Sequence, residues 1–138
     1  VRKNIPVSTI MTKEVITAHV AQPLSEVRKL ITDNDFHHIP IVSGESLVGM
    51  ITASDILGLS VEGIGSDQRA MDAYLDHQFS VESVMRKELK TIPTDSTIRD
   101  AAEILATGEF HAVPVVSDNS FAGIVTSTDL IRFLRDQF

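Results

Sequence analysis

One short element occurs twice at a fixed spacing, and it limits what this chain can fold into. Leu47-Val48-Gly49-Met50-Ile51-Thr52-Ala53-Ser54-Asp55-Ile56-Leu57 is an apolar run broken by one glycine, then a small polar turn closed by an acid, then apolar again. That pattern predicts a β-strand ending near Thr52 and a helix beginning near Ser54. It returns as Phe121-Ala122-Gly123-Ile124-Val125-Thr126-Ser127-Thr128-Asp129-Leu130-Ile131. Glycine, threonine and aspartate each recur 74 positions later: 49 to 123, 52 to 126, 55 to 129. A Gly-x-x-Thr-x-x-Asp element at constant register predicts an internal repeat.

The rest of the chain keeps the same register. Val7-Ser8-Thr9-Ile10-Met11 matches Val81-Glu82-Ser83-Val84-Met85, each a short helical turn. Val15-Ile16-Thr17 is expected to be a short strand, and Thr91 matches Thr17. Pro23 opens a helix with Leu24, Val27, Leu30 and Ile31 on one face. Asn34 is expected to end it in a left-handed conformation, and Gly108 stands 74 residues later. In the second half, Asp95 or Ser96 is expected to cap a helix carrying Ile98, Ala101, Ala102 and Leu105. Phe36-His37-His38-Ile39-Pro40-Ile41-Val42 matches Phe110-His111-Ala112-Val113-Pro114-Val115-Val116, a strand with proline near its start. The order in each half is β-α-β-β-α. Between the halves, Gly58 to Gly65 is a glycine-rich linker and Asp67 to Asp76 an amphipathic helix bearing Met71, Tyr74 and Leu75.

Composition excludes several functions. The chain has no cysteine, so disulfide and thiolate chemistry are out. Its net charge is −7 and its 12 basic residues are scattered, which argues against nucleic-acid binding. No apolar run approaches the ~20 residues of a membrane span. No signal peptide is visible, and a cytoplasmic setting is expected. No His-Glu-x-x-His, nucleophile elbow or phosphate-binding P-loop occurs, so no catalytic residue and no metal ligand is assigned. Asp33-Asn34-Asp35 lacks the glycine and distal glutamate of a calcium loop and reads as a helix end.

Thr52-x-x-Asp55 and Thr126-x-x-Asp129 admit two readings. Threonine and an acid three residues on form a capping box. The same geometry offers a helix N-terminus and hydroxyls to a phosphate, and a carboxylate to a ribose diol. Capping is compatible with the ligand role as a second duty. Gly49 and Gly123, inside strands, are expected to mark close packing against the opposite repeat.

Taken in order and twice over, the Val-x-x-Val/Ile-Met start, the His-x-hydrophobic-Pro strand and the Gly-x-x-Thr-x-x-Asp end resemble a tandem pair of CBS domains. This is the cystathionine-β-synthase type of regulatory module. The resemblance implies an α/β (α+β) fold of two βαββα repeats, about 7–62 and 81–138, packed about a pseudo-two-fold axis and joined by a helical linker at 63–80. It implies clefts between the repeats that take an adenosyl ligand such as AMP, ADP, ATP or S-adenosylmethionine. Carried over residue by residue, it implies ligand contacts from Thr52, Ser54 and Asp55 and from Thr126, Thr128 and Asp129. The adenine edge falls to Thr17-Ala18 and Thr91-Ile92. Further contacts fall to His37, His38, Ile39 and Pro40, and to His111, Val113 and Pro114. Ala112 stands where the first repeat has His38, so the two sites are not equal in basic residues.

The expected function is therefore a non-enzymatic sensor of an adenine nucleotide, needing no cofactor. It would form a homodimer, with apolar residues exposed around Met11 and Met85, and act on a regulated partner protein. The alternatives are a structural or dimerisation module without ligand, a regulatory fragment of a larger enzyme or transporter, and a small nucleotide-processing enzyme. The last lacks any base–nucleophile pair.

Overall fold

The computed structural model of the chain describes residues 4–34, 36–59 and 67–138. Residue 35 and most of the glycine-rich linker lie outside the described residues. The fold is mixed α/β, and the chain divides into two compact units.

The first unit comprises Ile16–Gly44 and Val48–Glu88. It holds β1 (Ala18–His19), α1 (Leu24–Asn34), β2 (His38–Ser43), most of β3 (Ser46–Thr52), α2 (Ala53–Leu57), α3 (Gln68–Gln78) and α4 (Val81–Val84). Strand β1 runs parallel to β2, with Ala18 opposite Ile41 and His19 opposite Val42; β3 flanks β2 on its other side. Leu24, Val27 and Ile31 turn one face of α1 into the core, at the spacing the sequence predicts. They meet Ile39, Ile41 and Ile51 from the strands and Leu75 from α3.

The second unit comprises Val1–Val15, Glu45–Leu47 and Leu89–Phe138. It holds a 3-10 turn (Val7–Thr9), the start of β3, β4 (Ile92–Pro93), α5 (Ile98–Leu105), β5 (Ala112–Ser117), β6 (Ser120–Thr126) and α6 (Ser127–Asp136). Strand β4 is parallel to β5, and β5 is antiparallel to β6. Ile92, Ala101, Leu105, Val113, Val115 and Val125 form the core, together with Val7 from the opening turn.

The units do not follow the sequence repeats. The opening segment of each repeat is built into the unit that holds the other repeat's strands. Val81 and Met85 are core residues of the first unit, and Val7 of the second. Val7 and Val81 are both 0% exposed. Burial of a valine contributes roughly 1.5–3 kcal/mol, so the exchange is a substantial part of each core. Main-chain bridges fix it. Arg86 exchanges bonds of 2.8 and 3.0 Å with Met50 in the first unit. Thr12 does the same with Ile124 in the second. Gly49 and Gly123 are the residues that permit this approach. A Cβ on Gly49 would stand 2.7 Å from Met85 Cγ, and one on Gly123 would stand 2.8 Å from the Thr12 carbonyl oxygen.

Four local expectations are corrected. The first strand of each repeat lies later than Val15-Ile16-Thr17 or Thr91 suggested, at Ala18–His19 and Ile92–Pro93. Pairing with β2 and β5 overrides the β-branched preference of the earlier residues. Asn34 does not take positive φ; its side-chain amide donates to the Leu30 carbonyl at 3.0 Å, while Gly108 does take φ +80°. The cap of α5 is Thr97, closing a capping box with Asp100. Ser96 is instead buried, and its carbonyl accepts from the Val7 N–H at 2.8 Å. Met85 is only 9% exposed, so it offers no apolar surface for pairing. The large exposed apolar side chains among the described residues are elsewhere: Ile16, Leu57 on α2, Ile131 and Leu134 on α6, and Phe138.

Candidate functional site

The repeated Thr-x-x-Asp element forms the junction between a strand and a helix in each unit. In the first unit β3 ends at Thr52, whose extended backbone (φ −105°, ψ 161°) turns the chain into α2. The Thr52 hydroxyl accepts from the Asp55 N–H at 3.2 Å, and Asp55 Oδ2 accepts from the Thr52 N–H at 2.9 Å. In the second unit Thr126 and Asp129 repeat both bonds, at 3.1 and 2.9 Å. Both copies are complete capping boxes, so each threonine–aspartate pair sets where its helix begins.

A second bond ties each junction to the histidine strand. The Ala53 N–H donates to the His37 carbonyl at 3.0 Å, and the Ser127 N–H donates to the His111 carbonyl at 3.1 Å. The first and third N–H groups of each helix are thereby satisfied. The second belongs to Ser54 or Thr128, which are exposed. Their N–H and hydroxyl groups have no partner among the described residues and remain available as donors.

The two carboxylates differ in one respect. Asp55 is held by Arg86, whose Nη2 donates to Oδ1 at 2.9 Å and whose Nε lies 3.3 Å from both oxygens. Partial burial pushes the Asp55 carboxyl up, but the bonds from Arg86 and then from Thr52 outweigh it and hold the carboxyl below its usual value. The bond to Asp55 in turn raises the Arg86 guanidinium, which stays charged. Asp129 has no such partner among the described residues. The residue 74 positions before Arg86 is Thr12, and Asp129 Oδ1 accepts from nothing among the described residues.

The CBS domain model matches residues 7–62 and again 81–136. The chain belongs to the CBS domain family. Protein MJ1225 of Methanocaldococcus jannaschii is 28% identical over 137 residues, which are 95% of this chain and 48% of that protein. Its crystal structure superposes with a TM-score of 0.80, at 26% identity, over 97% of this chain and 49% of that one. The CBS domain pair of protein MJ0100, solved with 5′-methylthioadenosine and S-adenosyl-L-methionine, gives 0.73 at 27% identity, over 96% of this chain and 98% of that one. CBSX2, solved in complex with AMP, gives 0.79 at 19% identity over 96% of this chain and 98% of that one, a likeness of fold. This CBS pair spans about a third to a half of the length of the first curated relatives.

The remaining candidates fall into two groups within each unit. Ala18, Ile39, Pro40, Ile92, Val113 and Pro114 are buried. Ile39 and Val113 are 0% exposed and serve the core of their unit. Thr17 and Thr91 precede the short strands, half-buried and exposed respectively. His37 and His111 are exposed at the strand openings, and His38 is half-buried in β2. In the first unit the structure brings His37 and Thr52–Asp55 together through the main-chain bond, and it does the same with His111 and Thr126–Asp129 in the second.

Arg86 was missed by the sequence reading. Its only signal was a break in the repeat, arginine where the first half has Thr12. Among the described residues no group of three or more His, Asp or Glu is placed to hold a metal ion. Among the same residues, no helix is long and apolar enough to cross a membrane.

Proposed function

We propose that this CBS pair is a regulatory module that senses an adenosyl ligand (AMP, ADP, ATP or a relative such as S-adenosylmethionine) and relays binding to a partner protein without turning the ligand over. One observation carries the reading. Each repeat presents a carboxylate at helix position three beside an unclaimed hydroxyl and N–H at position two, on a strand–helix junction pinned at both ends. Such a set suits a ribose diol at the acid and an anionic group at the donors. AMP, held by CBSX2, has both groups, and the two ligands held by MJ0100 share the ribose diol. Thr17, Thr91 and the histidine strands would frame the base and phosphates.

Signalling requires that the ligand bind two arrangements of the protein with different affinity. A homodimer is the proposed assembly. Leu57 of α2 is 71% exposed, and Ile131 and Leu134 of α6 are 65% and 56% exposed, three residues apart on one helix face. Light scattering should give a dimer mass, and Ile131→Asp with Leu134→Asp should give a monomer.

The ligand reading is tested by thermal shift against AMP, ADP, ATP, NAD and S-adenosylmethionine, followed by calorimetry and product chromatography. A ligand of the folded state at a hundredfold excess over its Kd adds about 2.7 kcal/mol of stability. Unchanged melting with all five would defeat it. A second reading, a structural module without ligand, has its own support: both aspartates already close capping boxes. It predicts no shift with any of the five.

A further inference from the structure

We infer that the Arg86–Asp55 ion pair is a latch that makes the two CBS repeats unequal in ligand binding, with the Asp129 element binding first and the Asp55 element only when Arg86 lets go. The inference rests on the adenosyl-ligand reading above and goes on to how that site is regulated.

The argument is one of available oxygens. In each repeat Oδ2 is committed to the threonine N–H of the capping box. The two lone pairs of Oδ1 are therefore the main acceptors left for a ribose diol, Oδ2 keeping one beyond its capping bond. Oδ1 of Asp129 accepts from nothing among the described residues. Oδ1 of Asp55 already accepts from Nη2 of Arg86 at 2.9 Å and from Nε at 3.3 Å. A neutral diol offers the Asp55 carboxylate two hydrogen bonds but not the opposite charge that the guanidinium brings.

The latch is built by the exchanged opening segment. The Met50–Arg86 main-chain bridge fixes the Arg86 backbone two residues before the end of β3. From there its side chain reaches the first turn of α2. Thr12 holds the same bridging position on Ile124, but its side chain makes no bond to Asp129. The latch is also able to open. Arg86 is 61% exposed while Asp55 is 16% exposed, so the arginine can swing into water and leave the carboxylate in place. Pairs with an exposed partner are weak, and the expected inequality is about two- to fivefold in affinity.

The two repeats also differ in histidines, His37 and His38 against His111 and Ala112. That difference bears on the phosphate and not on the ribose. The test therefore uses adenosine beside AMP. Calorimetry on the intact chain should show two adenosine sites differing about two- to fivefold. Asp129→Asn should weaken the tighter one and Asp55→Asn the weaker. Arg86→Thr, which copies the residue at position 12, should bring the two affinities together by strengthening the weaker site. Thr12→Arg should weaken the tighter site. Two wild-type sites that Arg86→Thr leaves unchanged overturn the latch and leave the ligand reading standing. Loss of AMP but not adenosine binding in Arg86→Thr also overturns it, because Arg86 would then grip the phosphate. No binding by wild type or any variant overturns the ligand reading and the latch together.

Discussion

The Asp76 carboxylate, on α3, accepts from both the N–H and the hydroxyl of Ser25 at the start of α1, at 2.9 and 2.7 Å. Ser25 N–H is one of the donors that a helix start leaves without an intrahelical partner. An acid 51 residues away supplies the acceptor, and its charge lies at the positive end of α1. Arg28 and Asp72 form a second, looser tie between the same two helices at 3.5 Å. The inter-repeat helix is thereby fastened to the first unit by polar bonds as well as by Leu75.

Asp76→Ala is expected to lower stability by about 1 kcal/mol, the usual cost of a lost N-cap. Asp72→Ala is expected to cost less, because that pair is partly exposed and long. Urea midpoints on the two variants check the order. Equal midpoints for Asp76→Ala and the wild type would mean that water replaces the carboxylate without loss.

The two strand glycines should respond unequally to alanine. At Gly49 the new methyl meets the Met85 side chain, whose outer atoms can turn aside. At Gly123 it meets the Thr12 carbonyl oxygen, which belongs to a main-chain bridge. Overpacking costs on the order of 1–3 kcal/mol. Gly123→Ala should fall at the upper end and Gly49→Ala at the lower. Denaturant unfolding of both variants gives the comparison. A larger loss at Gly49 would show that Met85 is the more rigid neighbour.

How much of this was legible in the sequence depends on what kind of contact is asked about. The constant spacing of 74 from Gly49-x-x-Thr52-x-x-Asp55 to its copy was enough for the β-α-β-β-α order, because both periodicity and turn chemistry are local. The close packing expected at Gly49 and Gly123 was legible too, since a strand glycine has few other uses. Arg86 left no more than a break in the repeat, and nothing marked it as the partner of Asp55, 31 residues before it. That contact exists only because the segment after Met85 is built into the unit holding β3, an exchange that neither propensity nor spacing encodes. Val15-Ile16-Thr17 misled for a related reason: strand position was decided by pairing with β2, not by the local run.

The Arg86 contribution to stability should vanish in acid. The Asp55 carboxyl lies lower in the folded chain than its ordinary value near ~3.9. Across the interval between the two values the unfolded chain binds more protons, so stability rises with pH there. The contribution is full above the unfolded value and is lost as pH falls through the folded one. Arg86 stays protonated throughout and adds no titration of its own. Wild type should therefore exceed Arg86→Thr by on the order of 1 kcal/mol or less at neutral pH, discounted because Arg86 is largely exposed. The gap should close below about pH 4. A gap that persists in acid would assign the effect to packing of the arginine stem.

The last prediction separates ribose reading from capping at Asp129. If the carboxylate only closes the capping box, Asp129→Asn weakens the helix start and leaves nucleotide affinity unchanged. If Oδ1 accepts from the ribose, removing the charged acceptor should cost roughly 1–3 kcal/mol of binding. Asparagine keeps one acceptor oxygen and turns the other position into a donor. Either the capping bond or the ribose bond must then go. A 2′,3′-dideoxy ligand should bind the wild type more weakly than its parent, because Asp129 loses its donors. Against Asp129→Asn the same deletion should cost little more. Calorimetry on two proteins with two ligands completes the double-mutant cycle, and the expected outcome is strong coupling between the carboxylate and the hydroxyls. Additive losses would mean that Asp129 does not touch the ribose, and the ligand site would have to be sought away from the Thr-x-x-Asp element.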